Sequence, residues 1–290
     1  MLLALALALS AGAQEDVSFR SDVSLVHVDT EVLDKDGRSV SGLAMTDFRI
    51  FDEGREQKIV SLSAEEQPLD LILLFDISAS MRPHIQRVAV AARRAAARLR
   101  QGDRVAIMCF NTDIAISTPF VEDMGEVAVG VEGVLRLQFG GGTAIRASIN
   151  AAAKRFLAEP KSGRRRAILV ITDNVGMPAN EAAVVRNLWD ADAVVSALVV
   201  GGGRVPRDAR NGVVDPLAEK TGGDAVKSDD PGAAFVEMLG RIRSRYGIYY
   251  ATPEGQAGTF HSIRVELAPA AHAKYPGTKI SARRSYRLTR

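Results

Sequence analysis

Cysteine, histidine and tryptophan are scarce in this chain of 290 residues, which has 1 Cys, 4 His and 1 Trp. A single cysteine excludes an intramolecular disulfide. Cys109 lies in the apolar run 105–110, where we expect a small buried strand residue and not a nucleophile. The four histidines show none of the spacings of a zinc site. The formal net charge of +2 is nearly neutral, so nucleic acid is not expected as a partner.

Long apolar runs are also missing beyond the N-terminus. No later segment is apolar for about 18 residues, so we expect no transmembrane span in the mature chain. Residues 2–9 form a Leu/Ala run too short to cross a bilayer. The small-x-small pattern Ala11-Gly12-Ala13 follows it and is typical of a signal-peptidase site.

This N-terminal pattern predicts a signal peptide at residues 1–13 and a mature chain that starts at Gln14. The protein would then be exported, and periplasmic, secreted or on the cell surface. The run has no Lys or Arg before it, so a longer signal that starts upstream is one alternative. A buried N-terminal helix is the other.

Alternating apolar and polar residues characterise both ends of the mature chain. Residues 14–66 contain two turns, Asp34-Lys-Asp-Gly37 and Asp52-Glu-Gly54, and predict a small antiparallel sheet. Within residues 247–290 we expect a hairpin formed by residues 247–251 and 260–267, with a further strand after it. Each half is too small to bury one face alone, so we predict that both halves form a single β module.

Residues 67–246 show a different pattern, in which continuous apolar runs alternate with segments of helical periodicity. Such runs are typical of strands buried on both faces. The alternation predicts an α/β fold with a doubly wound, mostly parallel sheet covered on both faces. The clearest predicted strands are residues 69–75, 104–110, 166–172 and 192–200.

Oxygen-bearing side chains occur in three loops at the expected carboxyl edge of this sheet, where ligands of open α/β sheets bind. Two carboxylates and three hydroxyls suit a hard cation, Mg²⁺ or Mn²⁺ in preference to Ca²⁺. Two carboxylates only neutralise such an ion, so it could still accept a further anionic oxygen. The candidate ligands are Asp76, Ser78 and Ser80 after the first strand, Thr143 before a helix, and Asp173 after the 166–172 strand.

The Asp76-x-Ser78-x-Ser80 motif, with Thr143 and Asp173 downstream, resembles the metal-ion-dependent adhesion site of von Willebrand factor type A (VWA) domains, whose fold is Rossmann-like. The resemblance implies that Ser78, Ser80 and Thr143 coordinate the metal through their hydroxyls. It implies that Asp76 and Asp173 bind directly or through water. The sixth position would take an acidic side chain of a partner protein.

The flanking segments resemble a family of exported bacterial proteins, the VWFA-related Acidobacterial domain family. Two residues depart from the VWA pattern. Asn174 stands where many VWA domains have glycine, and Asn tolerates the left-handed turn. Arg146 lies one helical turn after Thr143 and could face the metal, an acidic partner or solvent. The segments that carry the family resemblance are 32–40, 42–43, 47–48, 51–54, 249–250, 261–265 and 282–286.

The function that we expect is protein binding or adhesion through the metal, without catalysis. A metal-dependent hydrolase with Asp76 as nucleophile is an alternative, because an Asp follows the first strand of a doubly wound fold. Against it, Ser78 stands where haloacid-dehalogenase-type phosphatases have a second Asp, and the common hydrolase motifs do not occur. A structural envelope protein with a purely structural metal is the third possibility.

Overall fold

The computed structural model describes residues 24–64, 67–96, 99–160, 163–176, 180–201 and 213–288. The predicted signal peptide, residues 1–13, lies outside these residues. Among the described residues, no helix combines the length and the apolar character that a membrane crossing requires.

Four strands make up the N-terminal part of the described chain. Both predicted turns occur, and Gly37 and Gly54 adopt φ angles of 78° and 76°. Glu53 also has a positive φ of 49°, so the second turn has the two left-handed central residues of a tight hairpin. The strands are β1 (Leu25–Leu33), β2 (Phe48–Asp52), β3 (Arg55–Gln57) and β4 (Ile59–Ala64).

Strands and helices then alternate, as the periodicity predicts. The strands are β5 (Leu69–Asp76), β6 (Arg104–Phe110), β7 (Ile114–Val121), β8 (Arg165–Thr172), β9 (Ala193–Val200) and β10 (Ala225–Ser228). The helices are α1 (Arg82–Ala96), α2 (Met124–Leu135), α3 (Ile145–Ala158), α4 (Glu181–Asp190), α5 (Asp215–Thr221) and α6 (Pro231–Arg243).

These six strands form one sheet in the order β10-β9-β8-β5-β6-β7, parallel except for the edge strand β7. Every residue of β5 is buried, and successive side chains point to opposite faces. Leu71 and Leu73 join the core under α1, α2 and α6, whereas Ile72 and Leu74 join the core under α3, α4 and α5. The predicted doubly wound α/β fold is therefore confirmed.

The C-terminal strands return to the N-terminal ones. Their elements are β11 (Tyr246–Ala251), β12 (Phe260–Leu267), α7 (Pro269–Lys274), β13 (Lys279–Ala282) and β14 (Ser285–Arg287). β1 pairs with β11 and β13, and β2 pairs with β12, so both ends of the chain build the predicted β module. The module consists of two four-stranded sheets, in the orders β13-β1-β11-β4 and β14-β12-β2-β3.

The expected hairpin between residues 247–251 and 260–267 is wrong. β11 and β12 lie in different sheets, and each pairs with a strand of the N-terminal segment. The expected final strand is likewise split into β13 and β14, one in each sheet. Alternation of apolar and polar residues indicates that one face of a strand is buried, but it does not indicate which strand pairs with it.

A buried polar network joins the two sheets of the module. The carboxylate of Asp52 is 2% exposed and accepts hydrogen bonds from the hydroxyls of Tyr250 (2.7 Å) and Tyr286 (2.8 Å). Its other oxygen lies 2.7 Å from Nδ1 of His261. Burial raises the pKa of both phenols above the usual range, and Asp52 adds to the effect, so both remain hydrogen-bond donors.

We expect Asp52→Ala to lower the free energy of unfolding by about 3–5 kcal/mol, because each buried donor left without an acceptor costs about 1–3 kcal/mol. Urea denaturation measures the change. The control is Glu254→Ala, an exposed carboxylate of the same module, which should change stability by less than about 0.5 kcal/mol. A loss below about 1 kcal/mol in Asp52→Ala would contradict the assigned network.

Arginines hold the α/β domain against the β module. Arg245 is 3% exposed, pairs with Asp29 of β1, and donates to the carbonyl oxygen of Gly222 at 2.7 Å. Asp192, at the start of β9, binds Arg283 (2.9 Å) and Nδ1 of His27 (2.7 Å). Desolvation alone would raise the pKa of Asp192, but the charges of Arg283 and His27 outweigh it and hold the pKa well below the usual range.

A lowered pKa means that Asp192 stabilises the fold above the unfolded pKa of about 3.9, and that this stabilisation is lost as pH falls through the folded pKa. We expect Asp192→Asn to reduce the free energy of unfolding most above about pH 5, and progressively less below about pH 4. Asn suits the left-handed φ of 52° at this position, so backbone strain does not confound the comparison. Denaturation of both proteins between pH 2 and 7 checks this, and a pH-independent difference would contradict it.

Candidate metal centre

Asp76 is the last residue of the central strand β5 and is fully buried. Its Oδ1 accepts a hydrogen bond from the backbone N–H of Ser78 at 2.9 Å. Ser78 is 3% exposed, and its Oγ lies 3.2 Å from Oγ of Ser80, which is solvent-exposed. The first loop therefore runs from a buried carboxylate to an exposed hydroxyl within five residues.

The structure brings the other two loops to the same edge of the sheet. The hydroxyl of Thr172, at the end of β8, donates to Oδ2 of Asp76 at 2.7 Å. The backbone N–H of Gly140, in the loop before α3, donates to the carbonyl oxygen of Ile77 at 3.0 Å. The loop after β8 also lies against the loop before α3, because a Cβ on Gly176 would be 3.2 Å from the carbonyl oxygen of Thr143.

Negative charge is concentrated at the centre of this cluster. Burial raises the pKa of Asp76 above its usual range, and the nearby charge of Asp173 acts in the same direction. The hydrogen bonds from Ser78 and Thr172 oppose the rise. A buried carboxylate beside a second carboxylate is destabilised in its charged form, and a bound cation would offset that cost.

The chemistry of the donors fits a hard divalent ion. In the part of the chain that the structure describes, no three His, Cys, Asp or Glu side chains come close enough together to hold a metal. A cation here would rely on the hydroxyls of Ser78, Ser80 and Thr143 together with the two aspartates. An all-oxygen set of this kind suits Mg²⁺ or Mn²⁺ and is a poor set for zinc.

Two neighbours of the site have roles that sequence reasoning missed. Thr172 orients Asp76, although the sequence indicated only that this residue ends the 166–172 strand. Asn174 has the expected left-handed backbone, with φ of 62°, but its side chain also bonds to Asp215 (2.6 Å) and to the N–H of Val214 (3.0 Å). The only indication of these bonds in the sequence is that position 174 has asparagine, whose side chain can form hydrogen bonds, where many VWA domains have glycine.

Arg146 is half-buried and pairs with Glu181 of α4 at 3.1 Å. The sequence had left open whether this side chain faces a metal, a partner or solvent.

Cys109 is 2% exposed on β6, and burial raises the pKa of its thiol to about 12. A thiol that stays protonated is a poor nucleophile, as we expected for this residue.

The family model of the von Willebrand factor type A domain matches residues 71–176, a stretch that contains all five predicted metal ligands. The chain contains a VWA domain. No curated protein is significantly similar to the chain in sequence. The narrower resemblance of the flanking segments to the Acidobacterial family stays a prediction.

Several solved structures are similar to the chain at low sequence identity. A von Willebrand factor type A protein from Catenulispora acidiphila is 14% identical with a TM-score of 0.50, over 93% of this chain and 74% of that one. Proximal thread matrix protein 1 from the mussel byssus is 15% identical with a TM-score of 0.50, over 62% and 49%. The conserved hypothetical protein BatB from Bacteroides thetaiotaomicron is 22% identical with a TM-score of 0.49, over 60% and 97%.

Thr172→Val should lower the free energy of unfolding of the VWA domain by about 1–3 kcal/mol, because it removes the hydrogen bond to Oδ2 of Asp76 and leaves the N–H of Asn174 without its acceptor. Chemical denaturation measures this change in the free energy of unfolding. A chelator removes any bound cation, so the change comes from the hydrogen bonds of the protein itself. Thr172→Ser is the matched control, since it keeps the hydroxyl and loses only a methyl group. Equal destabilisation by both variants would show that packing, and not the hydrogen bonds, matters at this position.

Proposed function

We propose that this protein binds one divalent cation, Mg²⁺ or Mn²⁺, at a metal-ion-dependent adhesion site and uses it to hold an acidic side chain of another protein. The observation that supports this most is the meeting of three oxygen-bearing loops around the buried carboxylate of Asp76. The proposal also draws on the VWA domain itself, since VWA domains commonly mediate protein interactions.

Five residues would hold the ion: Asp76, Ser78, Ser80, Thr143 and Asp173. When bound, the cation supplies a Lewis-acidic position for one further anionic oxygen. The two carboxylates balance its charge and the three hydroxyls add no more negative charge, so an acidic side chain from a partner is still attracted.

The chain's own residues prepare the site. Thr172 and the N–H of Ser78 fix both oxygens of Asp76, so this carboxylate needs little reorganisation on binding. Exposed Ser80 and partly exposed Thr143 and Asp173 give the site an opening to solvent. A partner can therefore approach from the carboxyl edge of the sheet.

We propose that the role is non-catalytic. Ser78 stands two positions after Asp76, where a phosphatase of the haloacid dehalogenase type would need its second Asp. The single thiol of the chain is buried and protonated. Neither Ser78 nor Cys109 therefore supports the hydrolase alternative, and binding is the chemistry that the oxygen donors suit.

The proposed site of action lies outside the cytoplasm. The support for export is the Leu/Ala run at residues 2–9 and the small residues that follow it.

Titration of Mg²⁺ into the protein should release or absorb heat and raise the melting temperature. A ligand that binds the native state stabilises it by RT ln(1 + [L]/Kd), about 2.7 kcal/mol at a hundredfold excess over Kd. The double variant Asp76→Ala, Asp173→Ala should lose both responses. Glu237→Ala, on the exposed face of α6, is the control that should keep them.

Two outcomes of this titration would count against the proposal. One is a wild-type protein that shows neither heat nor stabilisation at millimolar Mg²⁺ or Mn²⁺. The other is a double variant that responds like wild type, which would place the cation elsewhere. Hydrolysis of a generic phosphoester by wild type, lost in Asp76→Asn, would instead support the enzymatic alternative.

A further inference from the structure

The side chain of Asn174 connects the loop after β8 to the start of α5. Asn174 is 8% exposed, its Nδ2 donates to Asp215 at 2.6 Å, and its Oδ1 accepts from the N–H of Val214 at 3.0 Å. Glycine at this position would suit the φ of 62° at least as well but could form neither bond. The side chain therefore adds a connection that the turn itself does not require.

This connection continues back to the candidate metal centre. The N–H of Asn174 donates to Oγ1 of Thr172 at 3.1 Å, and Thr172 donates to Asp76 at 2.7 Å. Asp173 lies between these two residues in the chain, and its Oδ1 accepts from the N–H of Val175 at 3.1 Å. A shift of Asp76 would thus reach α5 through the hydrogen bonds of Thr172 and Asn174.

The other end of α5 lies against the β module. The carbonyl oxygen of Lys220 accepts from the N–H of Arg284 at 3.1 Å. Gly222 ends the helix with φ of 83°, and a Cβ there would overlap the main chain of Ala282. α5 has seven residues, so its two ends are only about 10 Å apart.

A second set of contacts runs from α3 to the same end of α5. Arg146, one turn after Thr143, pairs with Glu181 at 3.1 Å, and Glu181 pairs with Lys220 at 2.5 Å. Lys220 is 41% exposed, so solvent screens this pair more than it screens the bonds of Asn174. The connection through Asn174 is therefore better buried than the connection through Glu181 and Lys220.

We propose that Asn174 is a positioning residue that couples the cation site to α5, and through α5 to the turn between β13 and β14 of the β module. The inference rests on the proposed function, because it assigns the regulation of that same site. Binding of the cation and the packing of the β module then influence each other, as linkage requires of any two coupled sites.

The chain carries its own reporter for this coupling. Trp189 is the only tryptophan, and its Nε1 donates to the carbonyl oxygen of Lys220 at 3.0 Å. It lies at the α5 end that contacts the β module, away from Asn174. Its fluorescence therefore reports movement of that end and not the presence of the cation itself.

The test follows Mg²⁺ binding by calorimetry and by Trp189 emission in the same protein. Wild type should show an emission change that saturates together with the heat, and a change in the hydrogen-exchange protection of the Arg284 amide. Asn174→Gly should still bind Mg²⁺, with Kd raised by no more than about tenfold, because it loses two hydrogen bonds but no ligand. Its emission and exchange responses should be lost at saturating Mg²⁺.

Two further variants separate coupling from a general loss of stability. Asp215→Ala removes the acceptor of Asn174 and should weaken the emission response in the same way. Asp229→Ala, an exposed carboxylate in the loop after β10, should keep the wild-type response. A positioning role predicts this split between binding and signal, whereas a merely structural role would lower the melting temperature and leave the signal per bound ion unchanged.

The outcomes distinguish the two proposals. Heat in wild type without any change in Trp189 emission would overturn the coupling and leave the cation site intact. A full wild-type emission response in Asn174→Gly would also overturn it. Absence of heat and of stabilisation in wild type would remove the cation site, and the coupling with it.

Discussion

The burial of one carboxylate, Asp76, is the constraint on which the proposed cation site depends. It ends a strand that is buried on both faces, so its charge has little access to water. Thr172 and the backbone of Ser78 bond to its two oxygens, but they do not neutralise the charge. A position of this kind is costly for a carboxylate unless a cation binds there, and the surrounding loops supply hydroxyl oxygens that a hard cation accepts.

The β module is not an appendage of the VWA domain. Its sheets draw strands from both ends of the chain, and buried arginines such as Arg245 bind it to the domain. The carboxyl edge of the domain carries the candidate cation site, and α5 extends from near that edge to the turn between β13 and β14. The hydrogen bonds at the two ends of α5 provide the physical route for the proposed coupling between that site and the module.

Much of the architecture could be predicted, because a strand that is buried on both faces has a continuous run of apolar residues in the sequence. The apolar runs located β5, β6, β8 and β9, and the turn glycines located both N-terminal hairpin turns. The pairing of β11 and β12 could not be predicted, because strands of either sheet show the same alternation. The side-chain bonds of Asn174 were missed for a related reason: Asp215 is 41 residues away, and only the fold brings it near.

The sequence by itself determined the class of fold, and it supplied the types of candidate ligand and their order along the chain. Each of these depends on local pattern: oxygen-bearing side chains directly after buried strands, and helical or strand periodicity. Only the tertiary structure decided which loops touch, which sheet each C-terminal strand joins, and that Arg146 binds Glu181. Those facts depend on contacts between residues far apart in sequence, and local periodicity carries no information about such contacts.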